Sequence, residues 1–472
     1  MNRATELLKN TALLTISKIA TQAISFLLVP LYTFYLSASD YGQVDLVLTY
    51  VALCAPIISV QLEFAAFRFA IDLRDDDKGL SSVLSTIFAI VVPVMGVAII
   101  GFAIVSLFIT VPYAALICFN VVSAVVSAIL LQFMRGIGDT KSFSLASLLI
   151  GASTTVLSFV FVAVWRMPAF SLMISLALAN GVGILYLLFV IKKKRKLHVW
   201  HGKKHVSLRS NMLHYAIPLL PNNVAWWVLN VSDRTIISIC VGAAANGIYA
   251  IANKFAFVPS ILFGIFNMSW SESASLTIHA KDKDQYFSRV SDLCLRVYSL
   301  GTVIYLLVLD ICYPYVVGPE YSESRGLIPI LVIGAFFQAI LGNYSAIYIA
   351  KKKTKEVANS SIAAAIINIV INLALVKVLG VYAAAISTAI AFASITVIRH
   401  FHVQRYVKIT YRPLSLVSSV MMFLIGCILY YMRLPLYITA ITCVGLILIG
   451  AYLNREFLAM IVALCKKKWR RG

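Results

Sequence analysis

The amino-acid sequence predicts an all-α polytopic membrane protein, and three properties of the chain lead to this prediction. Of its 472 residues, 61% are hydrophobic and only 12% are charged, and the mean hydropathy is +0.91. Soluble domains carry about 25% charged residues, so this composition excludes a soluble fold. Apolar runs of about 20 residues, the length that spans a bilayer as a helix, follow one another along the chain.

The apolar runs predict 14 transmembrane helices. They lie near residues 11–36, 41–70, 82–109, 112–134, 142–165, 168–191, 213–240, 244–271, 293–317, 327–350, 357–376, 380–399, 413–431 and 434–453. The first run is much longer than the apolar region of a secretory signal peptide, so we expect no cleavable leader. The last two runs, after Pro413, could instead form a re-entrant hairpin.

The positions of the basic residues predict the orientation of these helices. The chain has 40 Lys and Arg against 19 Asp and Glu, a net charge of +21. With the N-terminus inside, nearly all basic residues between the runs fall on the cytoplasmic side, as the positive-inside rule requires. We therefore expect both termini in the cytoplasm. The basic clusters, such as 192–196, are short and lack interleaved aromatic residues, which argues against nucleic-acid binding. Between the apolar runs, four basic residues are predicted to lie on the outer side of the membrane: Arg166, Arg325, Lys377 and Arg433.

A weak internal repeat predicts the domain organisation. A shift of 205 residues places 36–42 over 241–247, and in each copy this segment joins two helices by a short outer turn. The shift carries helix 1 onto helix 7, so the two halves have the same orientation in the membrane. We expect an N-terminal lobe of six helices with a basic linker (1–205), a C-terminal lobe of six helices (206–410), and two further helices with a basic tail (411–472).

Sequence motifs for catalysis or metal binding are lacking. The eight cysteines include no C-x-x-C pair, and the chain has neither a phosphate-binding loop nor an H-E-x-x-H motif. His198, His201 and His205 have a spacing that could bind a metal on a helix, but a solvated basic linker explains them better. We expect no catalytic residue, no resident metal and no cofactor.

Charged residues inside the apolar runs are the strongest candidates for a functional role, because an ion at the bilayer centre costs about 3 kcal/mol. Lys254 lies about ten residues, or roughly 15 Å, from the outer end of its helix, which is too deep for easy snorkelling. Lys18, Arg68 and Arg234 lie nearer a membrane face and could snorkel. The carboxylates that could pair with these cations are Asp45, Glu63, Asp233, Glu272 and Asp310.

Helix 7 contains Pro218 and Pro221, which predict a kink or break because each proline removes a backbone hydrogen bond. Broken helices persist in membranes where they line a cavity. Asn222 and Asn223 follow the prolines and could satisfy freed backbone groups or a sugar hydroxyl. Trp226, with its neighbour Trp227, could stack on a sugar ring, face lipid or pack in the core.

These residues together resemble the mid-chain signature of the polysaccharide transporters, the O-antigen and related flippases of the multidrug/oligosaccharidyl-lipid/polysaccharide superfamily. The turn at 39–42 resembles the N-terminal half of the same family. The residues that carry the mid-chain resemblance are Pro218-Leu219-Leu220-Pro221, Trp226-Trp227, Asp233-Arg234, Gly242, Gly247-Ile248-Tyr249-Ala250 and Lys254.

The resemblance implies two lobes in a V around a cationic cavity, which moves an undecaprenyl-pyrophosphate-linked oligosaccharide from the cytoplasmic to the outer leaflet of the bacterial inner membrane. The membrane potential favours this movement, and H+ or Na+ coupling through carboxylates is a further option. A polymerase of the same pathway is the partner that the resemblance implies. The residues expected to bind the pyrophosphate are Lys18, Arg68, Arg234 and Lys254. Those expected at the helix break or in contact with the glycan are Pro218, Pro221, Asn222, Asn223 and Trp226. Those expected to couple an ion or to pair with a charge are Asp45, Glu63, Asp233 and Asp310.

Two other functions stay open at this point. A drug or cation antiporter of the same superfamily is an alternative, because carboxylates also lie within the apolar runs. An O-antigen polymerase or ligase is a weaker alternative. Such an enzyme is expected to carry a large outer loop, and the longest outer segment, 318–326, is short.

Overall fold

The computed structural model describes residues 26–195, 206–351 and 353–453, and in these ranges the chain is helical throughout, with no β-strand. The helices are α1 (Phe26–Tyr35), α2 (Ala38–Ile58), α3 (Leu62–Asp72), α4 (Asp77–Phe108), α5 (Ala114–Gly136), α6 (Thr140–Phe159), α7 (Ser171–Arg195), α8 (Val206–Ala216), α9 (Leu220–Cys240), α10 (Ala243–Ala256), α11 (Val258–Thr277), α12 (Lys283–Val316), α13 (Ser324–Ala350), α14 (Thr354–Leu379), α15 (Val381–Val403), α16 (Pro413–Met432) and α17 (Leu436–Leu453). The prediction of an all-α membrane protein is confirmed.

Ten of the described helices are long and apolar enough to cross a membrane: α2, α4, α5, α6 with its π-helical end Val160–Val164, α7, and α12 to α16. Nine of them correspond to one predicted run each, whereas α2 covers only the first part of the run 41–70, which the structure divides into α2 and α3. Of the other four runs, 11–36 extends outside the described residues, 213–240 and 244–271 are each divided into two helices, and 434–453 gives a shorter apolar helix. The count of 14 spans therefore stays a prediction.

The chain forms two compact units, Met1–Gly247 and Ile248–Gly472. In the first unit α5 packs against α3 and α7, and α6 packs against α7. The core that they share includes Leu62, Ala66, Phe133, Met134 and Leu187, all fully buried.

The predicted boundary after residue 205 rests on the sequence repeat and stays a prediction. In the structure, α8 and α9 pack within the first unit, on α3 and α2 respectively.

Two helix interruptions lie side by side in the first unit. The first separates α2 from α3, where Val60 and Gln61 have left-handed backbone angles, with φ of 55° and 58°. The second separates α8 from α9, where a 3-10 turn at Ile217–Leu219 contains Pro218. Because α9 packs on α2 and α8 on α3, the two interruptions come to the same level of the bundle. A groove forms between them, lined by residues of both.

The first unit ends in the first turn of α10, which crosses the first turn of α2 at very short range. A Cβ atom added to Gly42 would lie 1.9 Å from the carbonyl oxygen of Ala243, and one added to Gly247 would lie 2.1 Å from that of Ala38. The side-chain amide of Asn246 donates to the Gly42 carbonyl oxygen at 2.7 Å. Only glycine fits at these two positions.

In the second unit α13 packs against α11 and α15, and α14 packs against α15. α16 and α17 pack on α12, so the two C-terminal helices are anchored by the longest helix of the unit. The core at one end of the unit includes Trp270, Phe287, Tyr348 and Val403.

The segment that joins α15 to α16 lies along α12. Its backbone N–H groups at Lys408, Thr410 and Arg412 donate to the side chains of Asp284, Ser288 and Asp292 at 3.0, 3.0 and 3.3 Å. Every second residue of an extended chain advances about 6.7 Å, and every fourth residue of a helix advances about 6 Å. The two spacings match, so one face of α12 satisfies the backbone of the connecting segment.

Candidate functional site

The ion pair between Arg234 and Asp45 is the central feature of the candidate site in the first unit. One guanidinium nitrogen of Arg234, Nη1, lies 2.9 Å from Oδ2 of Asp45. The same nitrogen donates to Oδ1 of Asp45 at 3.1 Å and to the hydroxyl of Thr49 at 2.9 Å. The Nε atom of Arg234 is buried and has no hydrogen-bond partner among the described residues. The contacts with Asp45 and Thr49 thus use one nitrogen of the guanidinium, Nη1.

A polar seam runs from this pair along the interface of α2 and α9. The indole N–H of Trp227 donates to the carbonyl oxygen of Thr49 at 3.3 Å. The hydroxyls of Tyr50 and Thr235 lie 3.0 Å apart, and the rings of Tyr50 and Trp227 are tilted against each other with centroids 5.9 Å apart. Thr49 contacts both Trp227 and Arg234, so it connects the ion pair with the aromatic part of the seam.

The groove between the two helix interruptions continues the seam. It is small, with room for about one water-sized group, and its lining includes Gln61, Asn223 and Trp227. Pro218 lies in the 3-10 turn before α9 and Pro221 in the first turn of α9. Proline lacks the backbone N–H that a continuous helix needs, which accounts for the interruption at this point.

The other charged candidates of the first unit that the structure describes lie on α3 and α9. Arg68 forms an ion pair with Asp72 one turn further along α3, at 2.6 Å, and both side chains are about half exposed, at 47% and 59%. Glu63 is buried and accepts a hydrogen bond from the Ser59 hydroxyl at 2.6 Å. Asp233 is buried in α9. Glu63, in the first turn of α3, and Arg68, in its second half, are therefore both engaged by residues nearby in the sequence.

In the second unit, the carboxylate of Asp310 on α12 pairs with the guanidinium of Arg325 on α13. The guanidinium also lies over the ring of Tyr430 on α16, 5.5 Å from its centre. Arg325 was predicted to lie between helices, and in the structure its side chain turns towards a buried carboxylate. Lys254 is half-buried in α10, and Glu272 is exposed on α11.

Some sequence candidates lie outside the described part of the chain. Lys18 and the three histidines at 198, 201 and 205 fall outside it, and so do the side chains of Asn222 and Trp226. Among the described residues, no group of three or more His, Cys, Asp and Glu side chains is placed to hold a metal ion.

The structure adds site residues that the sequence analysis did not select. Thr49 and Gln61 were missed, and Trp227 was considered only as the neighbour of Trp226. The spacing of Asp45 and Thr49, four residues apart on one helix face, is a signal that could have identified Thr49. Gln61 carried no such signal, because its burial depends on the turn between α2 and α3.

Comparison with known folds and sequences identifies the relatives of this arrangement. The inward-facing structure of a MATE-family multidrug resistance transporter of the MOP superfamily matches with a TM-score of 0.67 and 13% identity, over 83% of this chain and 98% of the other. The lipid II flippase MurJ in an inward closed conformation matches with a TM-score of 0.67 and 16% identity, over 96% of this chain and 100% of the other. A MOP superfamily transporter from Pyrococcus furiosus, described by the reverse polarity of its binding pocket, has a TM-score of 0.57 and 13% identity, over 84% and 96% of the two chains.

At these identities the structural matches establish the fold alone. No curated protein sequence gives a significant match. The sequence model of a family described as "Polysaccharide biosynthesis protein" matches residues 7–271, which is more than half of the chain. The chain is therefore a multi-pass membrane protein that belongs to the polysaccharide biosynthesis protein family and has the fold of MOP-superfamily transporters.

Proposed function

We propose that this protein is a flippase for a lipid-linked oligosaccharide. It moves an undecaprenyl-pyrophosphate-linked repeat unit, of O-antigen or a related surface polysaccharide, from the cytoplasmic to the outer leaflet of the bacterial inner membrane by alternating access. Fourteen helices with both termini in the cytoplasm form two six-helix lobes in a V, followed by two C-terminal helices. The polymerase that uses the translocated unit is the expected partner.

The observation that carries this proposal is the environment of Arg234. Its guanidinium lies within an apolar helix, holds Asp45 and Thr49 through Nη1, and keeps a buried Nε without a partner among the described residues. Pyrophosphate oxygens accept charge-assisted hydrogen bonds from such donors, and a guanidinium offers them in a planar fork. The match to a polysaccharide family supports the glycan part of the substrate.

The other candidate residues take their roles from this assignment. Lys18, Arg68 and Lys254 complete the cationic set for the pyrophosphate. Asn222, Asn223 and Trp226, after the break at Pro218 and Pro221, contact the glycan. The carboxylates Asp45, Glu63, Asp233 and Asp310 balance the cations or couple transport to H+ or Na+.

The membrane potential supplies a driving force for this movement. An inside-negative potential favours outward movement of an anion by about 2.3 kcal/mol per charge per 100 mV. A headgroup with a charge of −2 therefore gains about 4.6 kcal/mol at that potential. This gain is large enough for transport without ATP hydrolysis.

A drug or cation antiporter is the second candidate. The observation in its favour is that cations in the described part of the chain are already paired with carboxylates, among them Arg68 with Asp72, Arg234 with Asp45 and Arg325 with Asp310. Such pairs reduce the positive charge available to an anionic substrate. The fold is shared with MATE-family transporters and does not separate the two functions.

Complementation of a strain that lacks this protein tests the proposal. Arg234→Ala and Lys254→Ala are expected to lower surface polysaccharide about tenfold or more, because each lost charge-assisted hydrogen bond weakens binding by about 1.5–3 kcal/mol. The undecaprenyl-linked unit should then accumulate in the cytoplasmic leaflet. Lys254→Arg should restore transport, and Arg209→Ala, at an exposed position on α8, is the matched control.

The location of the accumulated lipid separates the candidate functions. Build-up in the outer leaflet would indicate a polymerase or ligase instead. Normal polysaccharide together with altered drug tolerance would indicate the antiporter.

A further inference from the structure

The turn between α2 and α3 holds two successive residues, Val60 and Gln61, in the left-handed backbone region. This conformation is uncommon for any non-glycine residue and is an outlier for a β-branched one such as Val60. Strained backbone of this kind persists where the surrounding structure holds it, and it concentrates at binding sites. Here the Gln61 N–H donates to the Pro56 carbonyl oxygen at 3.1 Å, which closes the turn.

The strained turn holds the Gln61 side chain at the groove with an unmet hydrogen bond. The side chain of Gln61 is 1% exposed, and its Nε2 has no hydrogen-bond partner among the described residues. A carboxamide nitrogen is a donor, so the missing partner is an oxygen acceptor. Buried donors in native structures are nearly always paired with protein, water or ligand atoms, and Gln61 Nε2 lies at a groove where an acceptor of that kind can bind.

The lining of the groove indicates the chemistry of that ligand. Facing Gln61 across the groove are Asn223, from the first turn of α9, and Trp227, one turn later. The indole of Trp227 is held by its hydrogen bond to the Thr49 carbonyl oxygen. None of the residues that line the groove carries a charge. Side-chain amides can hydrogen-bond the hydroxyl or acetamido groups of a neutral sugar, and an aromatic side chain can pack against its ring. A phosphate, in contrast, is usually bound by a cationic side chain.

The position of the groove relative to Arg234 fits one ligand with a neutral end and an anionic end. Asn223 and Arg234 are both on α9, and eleven residues of helix correspond to about 16 Å. Thr49 joins the two ends, because its carbonyl oxygen accepts from Trp227 and its hydroxyl from Arg234.

We propose that the groove formed by Gln61, Asn223 and Trp227 is a subsite for a polar substituent of a neutral sugar in the glycan of the substrate, beyond the sugar that is attached to the pyrophosphate. Gln61 and Asn223 bind a hydroxyl or acetamido oxygen, and Trp227 contacts the apolar edge of the ring. The subsite selects for the glycan, while Arg234 binds the pyrophosphate. This inference rests on the proposed function.

Binding of two lipid probes to the purified full-length protein tests the subsite. The probes are undecaprenyl pyrophosphate without a sugar and the same lipid with a neutral trisaccharide of N-acetylhexosamines, and the measurement is the Kd of each in detergent. Wild type is expected to bind the sugar-bearing probe about tenfold more tightly. Gln61→Leu and Gln61→Glu should reduce that preference to less than about twofold, because neither residue supplies the amide donor.

Three further variants make the result specific. Gln43→Leu replaces an exposed glutamine on α2 and should keep the preference. Arg234→Ala should weaken both probes to the same extent. Asn223→Ala provides a second variant of the subsite if the Gln61 variants fold poorly, and it should also lower the preference.

The outcomes separate the two proposals. If wild type binds both probes equally, or the Gln61 and Asn223 variants keep the tenfold preference, the subsite assignment is wrong while the flippase proposal stands. If wild type binds neither probe, both are wrong.

Discussion

Arg399 illustrates how a single residue can carry a buried charge in this protein without a carboxylate. Its side chain is 2% exposed, and the described residues include no carboxylate at ion-pair distance from it. The guanidinium is surrounded by neutral acceptors from α13 and α14. It donates to the hydroxyls of Ser345, Ser360 and Ser361 at 2.7, 2.9 and 3.0 Å and to the carbonyl oxygen of Val357 at 3.0 Å. This residue therefore ties three helices of the second unit together.

A double-mutant cycle between Arg399 and Ser345 measures this role. Ser345→Ala in the wild-type background removes an acceptor from a buried cation and should cost about 1.5–3 kcal/mol. In an Arg399→Met background the same change should cost less than about 0.5 kcal/mol, because no charge is left without a partner. The measurement is thermal unfolding in detergent. Additive effects would show that the serine does not stabilise the charge.

Among the helical elements, the crossing of α2 and α10 is the most constrained contact. The contacts are reciprocal: Gly42 lies against Ala243, and Gly247 lies against Ala38. The sequence shift of 205 residues carries Gly42 onto Gly247 and Ala38 onto Ala243, so it converts one pair into the other. The sequence repeat is thus accompanied by a local symmetry of the first turns of α2 and α10. Backbone contact of this kind depends on glycine, as is common where membrane helices approach closely.

We expect Gly42→Ala and Gly247→Ala to have the same effect, a large loss of folded protein. The added methyl carbon would lie about 2 Å from a backbone carbonyl oxygen, 1.9 Å at Gly42 and 2.1 Å at Gly247, so the helices must separate. Gly101→Ala in α4 is the matched control, since no atom lies within 4 Å of the added carbon. The control should be neutral or more stable by about 0.5–1 kcal/mol. Size-exclusion profiles and thermal unfolding provide the comparison, and normal stability of Gly42→Ala would contradict the close contact.

At the scale of the whole molecule, the distribution of basic residues along the chain predicts how the protein is oriented in the membrane. The net charge of +21 arises from basic residues that are concentrated between apolar helices. Basic residues are retained on the cytoplasmic side, so the alternation of basic and non-basic connections defines an orientation. In the first unit, the connection between α3 and α4 is charged, whereas the one between α4 and α5, at 109–113, contains no charged residue.

Cysteine labelling tests this orientation. In a background without the eight native cysteines, Thr110→Cys should react with a membrane-impermeant maleimide added to intact spheroplasts. Asp75→Cys should react only after the membrane is permeabilised. Both positions are exposed in the structure, so accessibility to the reagent depends on the side of the membrane alone. Labelling in the reverse pattern would invert the proposed topology, and labelling of both positions in intact spheroplasts would rule out a span between them.

The amino-acid sequence by itself determined the membrane class, the helical content, the positions of most helices and the family resemblance. Hydropathy, proline and basic residues act locally, so these properties can be assigned from short windows of sequence. Pro218 and Pro221 predicted an interruption of helix 7, and the structure has a 3-10 turn at that place.

Only the tertiary structure decided which side chains meet. Arg234 and Asp45 are separated by 189 residues, and Arg325 reaches Asp310 from what the sequence treated as a loop. The strained turn at Gln61 lies inside an apolar run of the sequence that has no interruption, so the local composition did not predict a turn there. The position of Trp227 at the groove also follows from helix packing. Pairing depends on which helix faces touch, and that is a property of the packed bundle that no local pattern encodes.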